Sequence, residues 1–324
     1  MEIGSFIGLD LQGSGEYYNN GINIARLNSA RAGIYHACKL YNCNSIYIPY
    51  YLPPSVSSFL SKKNIDIKYY NIDREFKPIS INQDKNHAVL LVNYFGILSH
   101  TTMQQLASEY FNVIIDNSAA FYSQPILGCY NVYSPRKFFG VPDGCYVIGE
   151  NAEKGVENYE QDNSSFTSRY LLKSIELGTS ASYEDRMINE YRIHCSDTLR
   201  MSRLTLKLLE NINYNKVQEM RMKNFLFMHL LFKGINQFNS MFAFDSSCVP
   251  MVYPLVILDS TLDQKLRERD ILVGRLWRYL LNLVENNSFE KWLSTYMIPL
   301  PIDQRYNRQD VRYIHKKVID ALSQ

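Results

Sequence analysis

Apolar residues along the chain fall into short runs separated by polar stretches, and the runs alternate between two periods. Ala88 to Phe95, AVLLVNYF, is almost continuous in apolar residues, as a strand covered on both faces of a parallel sheet is. Ser45 to Tyr50, Ile65 to Ile72, Val113 to Asp116 and Tyr130 to Tyr133 read as further strands, with Pro53 and Pro54 closing off the first of these. Between them lie helical stripes. Ala30, Gly33, Ile34, Ala37, Cys38, Leu40 and Tyr41 recur at helical spacing behind Ser29, a residue suited to the N-cap, and helices are expected at about 55–61 and 101–110. This βαβ rhythm predicts an α/β fold, a mostly parallel central sheet flanked by helices.

The flanking stretches read differently. The first thirty residues, with GSGEYYNNG at 13–21, look like an irregular arm. Residues 151–168 are polar and loop-like, and helical spacing dominates from about Tyr170 to Asn211. From about Val217 the pattern is that of a smaller C-terminal α/β domain. It has a helix through Leu231, a strand near Val249 to Leu258 that its two prolines make an edge or interrupted one, a helix from about Asp263 and a last helix after Asp310. The expected division is 1–215 for a large domain and 216–324 for a small one, natural for 324 residues.

Composition narrows the function by exclusion. A net charge of +2 with no stripe of basic residues interleaved with aromatics argues against nucleic acid. No apolar run has the roughly 18 to 20 residues of a membrane span, and MEIGSFIGLD lacks the regions of a signal peptide, so a cytoplasmic protein is expected. The six cysteines have no metal-type spacing and read as free thiols, the six histidines form no ligand cluster, and no metal is expected. The 25 tyrosines are spread throughout and read as background.

The chemistry concentrates between Val113 and Gly149. One strand ends in Asp116 and the next ends in Ser134-Pro135-Arg136-Lys137, so an acid and an amine each stand where a strand stops. In open α/β sheets the ligand crevice lies beyond the carboxyl ends of the strands, where both side chains reach one molecule. Pyridoxal 5'-phosphate needs such a pair: a lysine to condense with its aldehyde and a carboxylate to keep its pyridine nitrogen protonated. Alone, Asp116 is as readily a turn or cap residue, and most lysines are solvated surface charges. Lys137, however, precedes the apolar loop Phe138-Phe139-Gly140-Val141, a setting that favours the neutral, nucleophilic amine. The unpartnered amides of a helix beginning at Ala30 suit a phosphate.

Several segments in order carry a likeness: Leu27-Asn28-Ser29-Ala30-Arg31-Ala32-Gly33, Pro49-Tyr50-Tyr51, Val92-Asn93-Tyr94-Phe95-Gly96, the Asp116 and Lys137 segments, and Leu300-Pro301-Ile302-Asp303-Gln304-Arg305-Tyr306. Through them nearly the whole chain resembles the DegT/DnrJ/StrS family of pyridoxal-phosphate-dependent aminotransferases. That resemblance implies fold type I, a homodimer, and transfer of an amino group from a donor such as glutamate to a keto sugar nucleotide, in amino-sugar or surface polysaccharide biosynthesis. It implies roles for individual residues too. Ser29, Ala30 and Arg31 match the turn that holds the cofactor phosphate, Tyr51 the flat residue stacked on the pyridine ring, and Asp116 the ring's carboxylate. Ser134 matches a phosphate-contacting serine and Lys137 the catalytic lysine. Related proteins that dehydrate instead carry histidine in its place, so a lysine at 137 speaks for transamination.

Two departures stand against the likeness. Ala30 occupies the place of a glycine, and Ala119 that of a glutamine or histidine near the ring. They keep open a catalytically inactive scaffold or regulatory protein of the same fold, and an acceptor other than a sugar also remains open.

Overall fold

The computed structural model of the protein describes residues 4, 6–19 and 23–323. Asn20 and Gly21, at the end of the expected irregular arm, lie outside the described residues. The chain opens with β1 (Ile24–Leu27), α1 (Ala30–Leu40), β2 (Ser45–Pro49), α2 (Pro54–Lys62), β3 (Asp66–Ile72) and β4 (Pro78–Ile79). Next come β5 (His87–Val92), α3 (His100–Ala107), β6 (Val113–Asp116), β7 (Tyr130–Tyr133) and β8 (Cys145–Ile148). These strands form one sheet in the order β1-β8-β7-β6-β5-β2-β3-β4. β3, β2, β5, β6 and β7 run parallel, whereas β8, β1 and β4 pair antiparallel at the two edges. The expected mostly parallel sheet is what forms.

The sequence reasons are local. All four residues of β6 are buried, as a strand covered on both faces demands. α1 crosses close over β7 and β8 because residue 33 is glycine: a Cβ there would stand 2.6 Å from Cys145 Sγ. The run AVLLVNYF stops being a strand at Val92, because Phe95 and Gly96 turn left-handed, at φ of 59° and 75°. The arm read as irregular contains β1, whose Leu27 pairs with Cys145 on β8.

The polar excursion leads into α4 (Arg169–Ala181), α5 (Tyr183–Cys195) and α6 (Arg203–Leu209). The remainder comprises α7 (Tyr214–Phe232), β9 (Val252–Val256), α8 (Leu262–Arg267), α9 (Phe289–Tyr296), β10 (Met297–Pro301) and α10 (Arg308–Leu322). β9 and β10 form a separate two-stranded antiparallel sheet in which Pro254 faces Pro299, so the proline-bearing strand has a single neighbour. One apolar core joins this part to one face of the large sheet, through Leu91, Val113 and Ile115 with Phe225, Leu255 and Val311. A second lies under α1 and α2 on the opposite face. A third, mostly aromatic, packs Phe121, Tyr133, Tyr146, Phe138 and Phe139 together. Among the described residues no helix is long and apolar enough to cross a membrane, and no cluster of metal-binding side chains occurs.

Candidate active site

Parallel pairing places the acid and the amine. Asp116 ends β6 opposite Val132 of β7, and two residues further along β7 the chain turns at Ser134 into a single 3-10 turn, Pro135–Lys137. Neighbouring carboxyl ends therefore deliver Asp116 and Lys137 to one cavity of about 620 Å³. Ser29, Ala30, Arg31 and Ser134 line it as well. Lys137 is exposed and lines the cavity. Enclosure by protein lowers its pKa from the usual lysine value; Asp116 opposes the shift and Arg136 adds to it.

Several polar atoms around the cavity have no partner among the described residues. Asp116 is 7% exposed; its Oδ1 accepts the Ser118 amide at 2.8 Å, and Oδ2 accepts no hydrogen bond among the described residues. The hydroxyls of Ser29 and Ser118 are buried and unpaired. Ser29 stands at the N-cap of α1 without capping it, which leaves both its hydroxyl and the first-turn amides for a ligand. Such orphaned groups are costly to bury unless something binds them, and here they suit a phosphate at α1 and a charged ring nitrogen at Asp116.

Arg31 reaches away from α1 to the end of α5, where Nη2 donates to the carbonyls of Ile193 and His194, the latter at 2.8 Å. Its guanidinium also stacks on Phe59, 4.9 Å from the ring centre. Its Nε is buried without a partner and no carboxylate pairs with it among the described residues. Burial, then Arg136, lowers its pKa.

Tyr51 is a correction. The residue expected to stack on a pyridine ring is fully buried behind the wall, wedged against Tyr94 and Trp277 with ring centres 5.6 and 4.4 Å away. Leu52 and Pro53, not Tyr51, face the cavity, because the chain turns at the end of β2 and sends the tyrosine into the core.

The walls include residues that sequence reasoning passed over. Met187, Glu190, Tyr191 and His194 of α5 face the cavity, as do Met251, Leu276 and Trp277 of the C-terminal part. The α5 residues follow i, i+3, i+4, i+7 spacing, a stripe visible in the sequence; the others come from loops with no such signal. Beyond Lys137 the loop is pinned. Gln304 Nε2 donates to the Phe138 carbonyl at 2.8 Å, Asn189 Nδ2 to that of Pro142 at 2.7 Å, and the Arg221 guanidinium lies 4.4 Å over the Phe138 ring.

No protein-family model and no curated protein matches the chain. Solved structures do. PseC of Helicobacter pylori, an aminotransferase of pseudoaminic acid biosynthesis, is 14% identical, with a TM-score of 0.58 over 92% of this chain and 86% of its own. A DegT DnrJ EryC1 StrS aminotransferase from Brucella abortus is 11% identical, with a TM-score of 0.61 over 93% and 86%. The PLP form of a putative sugar aminotransferase, Spr1654 from Streptococcus pneumoniae, is 12% identical, with a TM-score of 0.62 over 92% and 86%. Likeness at these identities is likeness of fold: the chain has fold type I, the fold of these aminotransferases.

Proposed function

We propose that the protein is a pyridoxal-phosphate-dependent aminotransferase of the DegT/DnrJ/StrS kind, passing an amino group from an amino acid, glutamate first among candidates, to a keto sugar nucleotide for amino-sugar or surface polysaccharide biosynthesis. The observation that carries this reading is the meeting of Asp116 and Lys137 in one cavity at adjacent parallel strand ends. PseC, which shares the fold, serves amino-sugar synthesis. We keep residues 1–215 as the unit carrying the polar groups and 216–324 as the unit that covers them.

Pyridoxal phosphate, when bound, supplies an aldehyde for the lysine and a ring that takes up electrons released at the substrate carbon. Asp116, lining the cavity, would pair with the pyridine nitrogen and favour its protonated form by direct charge pairing. Ser29, the first-turn amides at Ala30 and Arg31, and Ser134 would hold the phosphate. Lys137, its amine biased toward the neutral form, takes the proton from the donor carbon that bears nitrogen. In the second half-reaction it delivers one to the sugar carbon that gains nitrogen. The walls of Leu52, Pro53, Met251 and Trp277 limit water around that proton.

A homodimer belongs to the same proposal. Leu172 and Ile175 of α4 and Ile188 and Tyr191 of α5 are exposed apolar residues on one helical pair, beside the cavity that α5 lines. A cytoplasmic setting agrees with the six cysteines, all free.

Borohydride reduction of the yellow, cofactor-loaded protein followed by peptide mass spectrometry tests the reading. The cofactor is expected on Lys137, and glutamate is expected to bleach the colour beforehand. Label elsewhere, or none, overturns the assignment. Colour fixed at Lys137 but indifferent to every amino donor makes the protein a scaffold.

A further inference from the structure

Arg136, beside the reactive amine, has no role in the reaction as described. Its Nη2 is ion-paired with Glu190 Oε1 at 2.6 Å, across the cavity wall on α5, while its Nε is buried and donates to nothing. A guanidinium binds oxyanions by its Nε and Nη edge; in Arg136 the Nη2 half of that edge is held by Glu190 and the Nε half is buried without an acceptor, so an anion takes this edge only by displacing Glu190. Arg136 lines the same cavity as Arg31 and Lys137, and its charge helps to lower the pKa of both. Against these three cations the cavity sets two carboxylates, Asp116 and Glu190. The Ser29 hydroxyl, on a residue 6% exposed, and the Nε groups of Arg31 and Arg136 are buried donors without an acceptor among the described residues.

We infer that Arg136 is an exchangeable anion anchor: it binds an oxyanion beside Arg31 and the first turn of α1, and Glu190 holds its guanidinium in place between ligands. The identity of that oxyanion, the phosphate of the cofactor or the carboxylate of the amino donor, rests on the aminotransferase reading; the anchor itself does not. A merely structural ion pair predicts that removing either partner has the same effect. An anchor predicts opposite effects, because Glu190 competes with the anion for Arg136.

The experiment compares wild type, Arg136→Gln and Glu190→Gln. Inorganic phosphate is titrated first, read by thermal shift, which needs no cofactor chemistry. Arg136→Gln is expected to weaken phosphate binding about 10- to 100-fold, the range of one charge-assisted contact, whereas Glu190→Gln keeps or tightens it. Pyridoxal phosphate and phosphate-free pyridoxal are then titrated by absorbance, and glutamate by bleaching of the loaded protein. If the cofactor phosphate is the anion, Arg136→Gln loses affinity for pyridoxal phosphate by a similar factor and keeps that for pyridoxal. If the donor carboxylate is the anion, cofactor affinity holds and the glutamate concentration for half-bleaching rises instead. Equal behaviour of the two variants in every titration overturns the anchor. A wild type that binds phosphate through Arg136 yet never takes up the cofactor overturns the aminotransferase reading and leaves the anchor standing.

Discussion

Replacing Tyr51 by phenylalanine should make the protein more stable. The ring is fully buried between Tyr94 and Trp277, and its hydroxyl finds no partner. Phenylalanine keeps the ring contacts and removes only the stranded hydroxyl. A buried unsatisfied group of this kind costs about 1–3 kcal/mol. The void left by one oxygen, on the order of 10 Å³, takes back only about 0.2 kcal/mol. With roughly 2.1 cal/mol/K of unfolding entropy per residue over 324 residues, the gain corresponds to a rise in Tm of about 1–4 °C. Urea unfolding followed by fluorescence should move to a higher midpoint with an unchanged slope. Because Tyr51 lies behind the wall, affinity for pyridoxal phosphate should not change. A lowered midpoint, or loss of cofactor affinity, would refute both the unpaired hydroxyl and the correction of Tyr51 from stacking residue to core residue.

Other outcomes follow from the same geometry. Lys137→Met should stabilise the cofactor-free protein at neutral pH: the folded-state pKa lies below the unfolded one, so the folded state binds fewer protons between them and wild-type stability rises with pH across that interval. The variant's advantage should therefore be full below the folded pKa and fade toward the ordinary lysine value of about 10.4, as thermal melts across pH will read. Asp116→Asn keeps an acceptor for the Ser118 amide but loses the charge, and bleaching by glutamate should slow about 10²- to 10³-fold in stopped flow. Gly96→Ala forces a side chain into a left-handed turn where its Cβ meets the Ala119 carbonyl oxygen; stability should fall by at least about 1–2 kcal/mol in urea titration, with weaker cofactor binding as the backbone beside Asp116 shifts.

The parts of the fold that could be read in advance are those in which burial imposes composition. β5 and β6 carry nearly continuous apolar or β-branched residues because a central parallel strand is covered on both faces, and the ends of β6 and of the Asn131-bearing β7 bring Asp116, Ser134 and Lys137 to one cavity. β1 escaped notice since four residues, IARL, are too few to show a period, and its Arg26 is exposed enough to pair with Glu16. The end of β5 was misplaced because Asn93-Tyr94-Phe95 continues the apolar run while the backbone reverses, and nothing in the composition announces a positive φ at Phe95. At Tyr50-Tyr51 the strand's alternation lapses before a proline turn, so the sequence has no rule for which ring faces the core. The bond from Arg31 to the last turn of α5 joins residues 162 positions apart, beyond any local pattern.

The hydrogen bond from Gln304 to the Phe138 carbonyl gives the tail of the protein a hand on the lysine. The Phe138–Phe139 peptide, one residue beyond Lys137, is held from outside by Gln304, which enters no wall of the cavity. Any rocking of β10 and α10 is thus transmitted to the amine as a tug on its own backbone. Replacing Gln304 by alanine would release the Phe138 carbonyl and detune the chemistry from afar, leaving every wall residue and the α10 core in place.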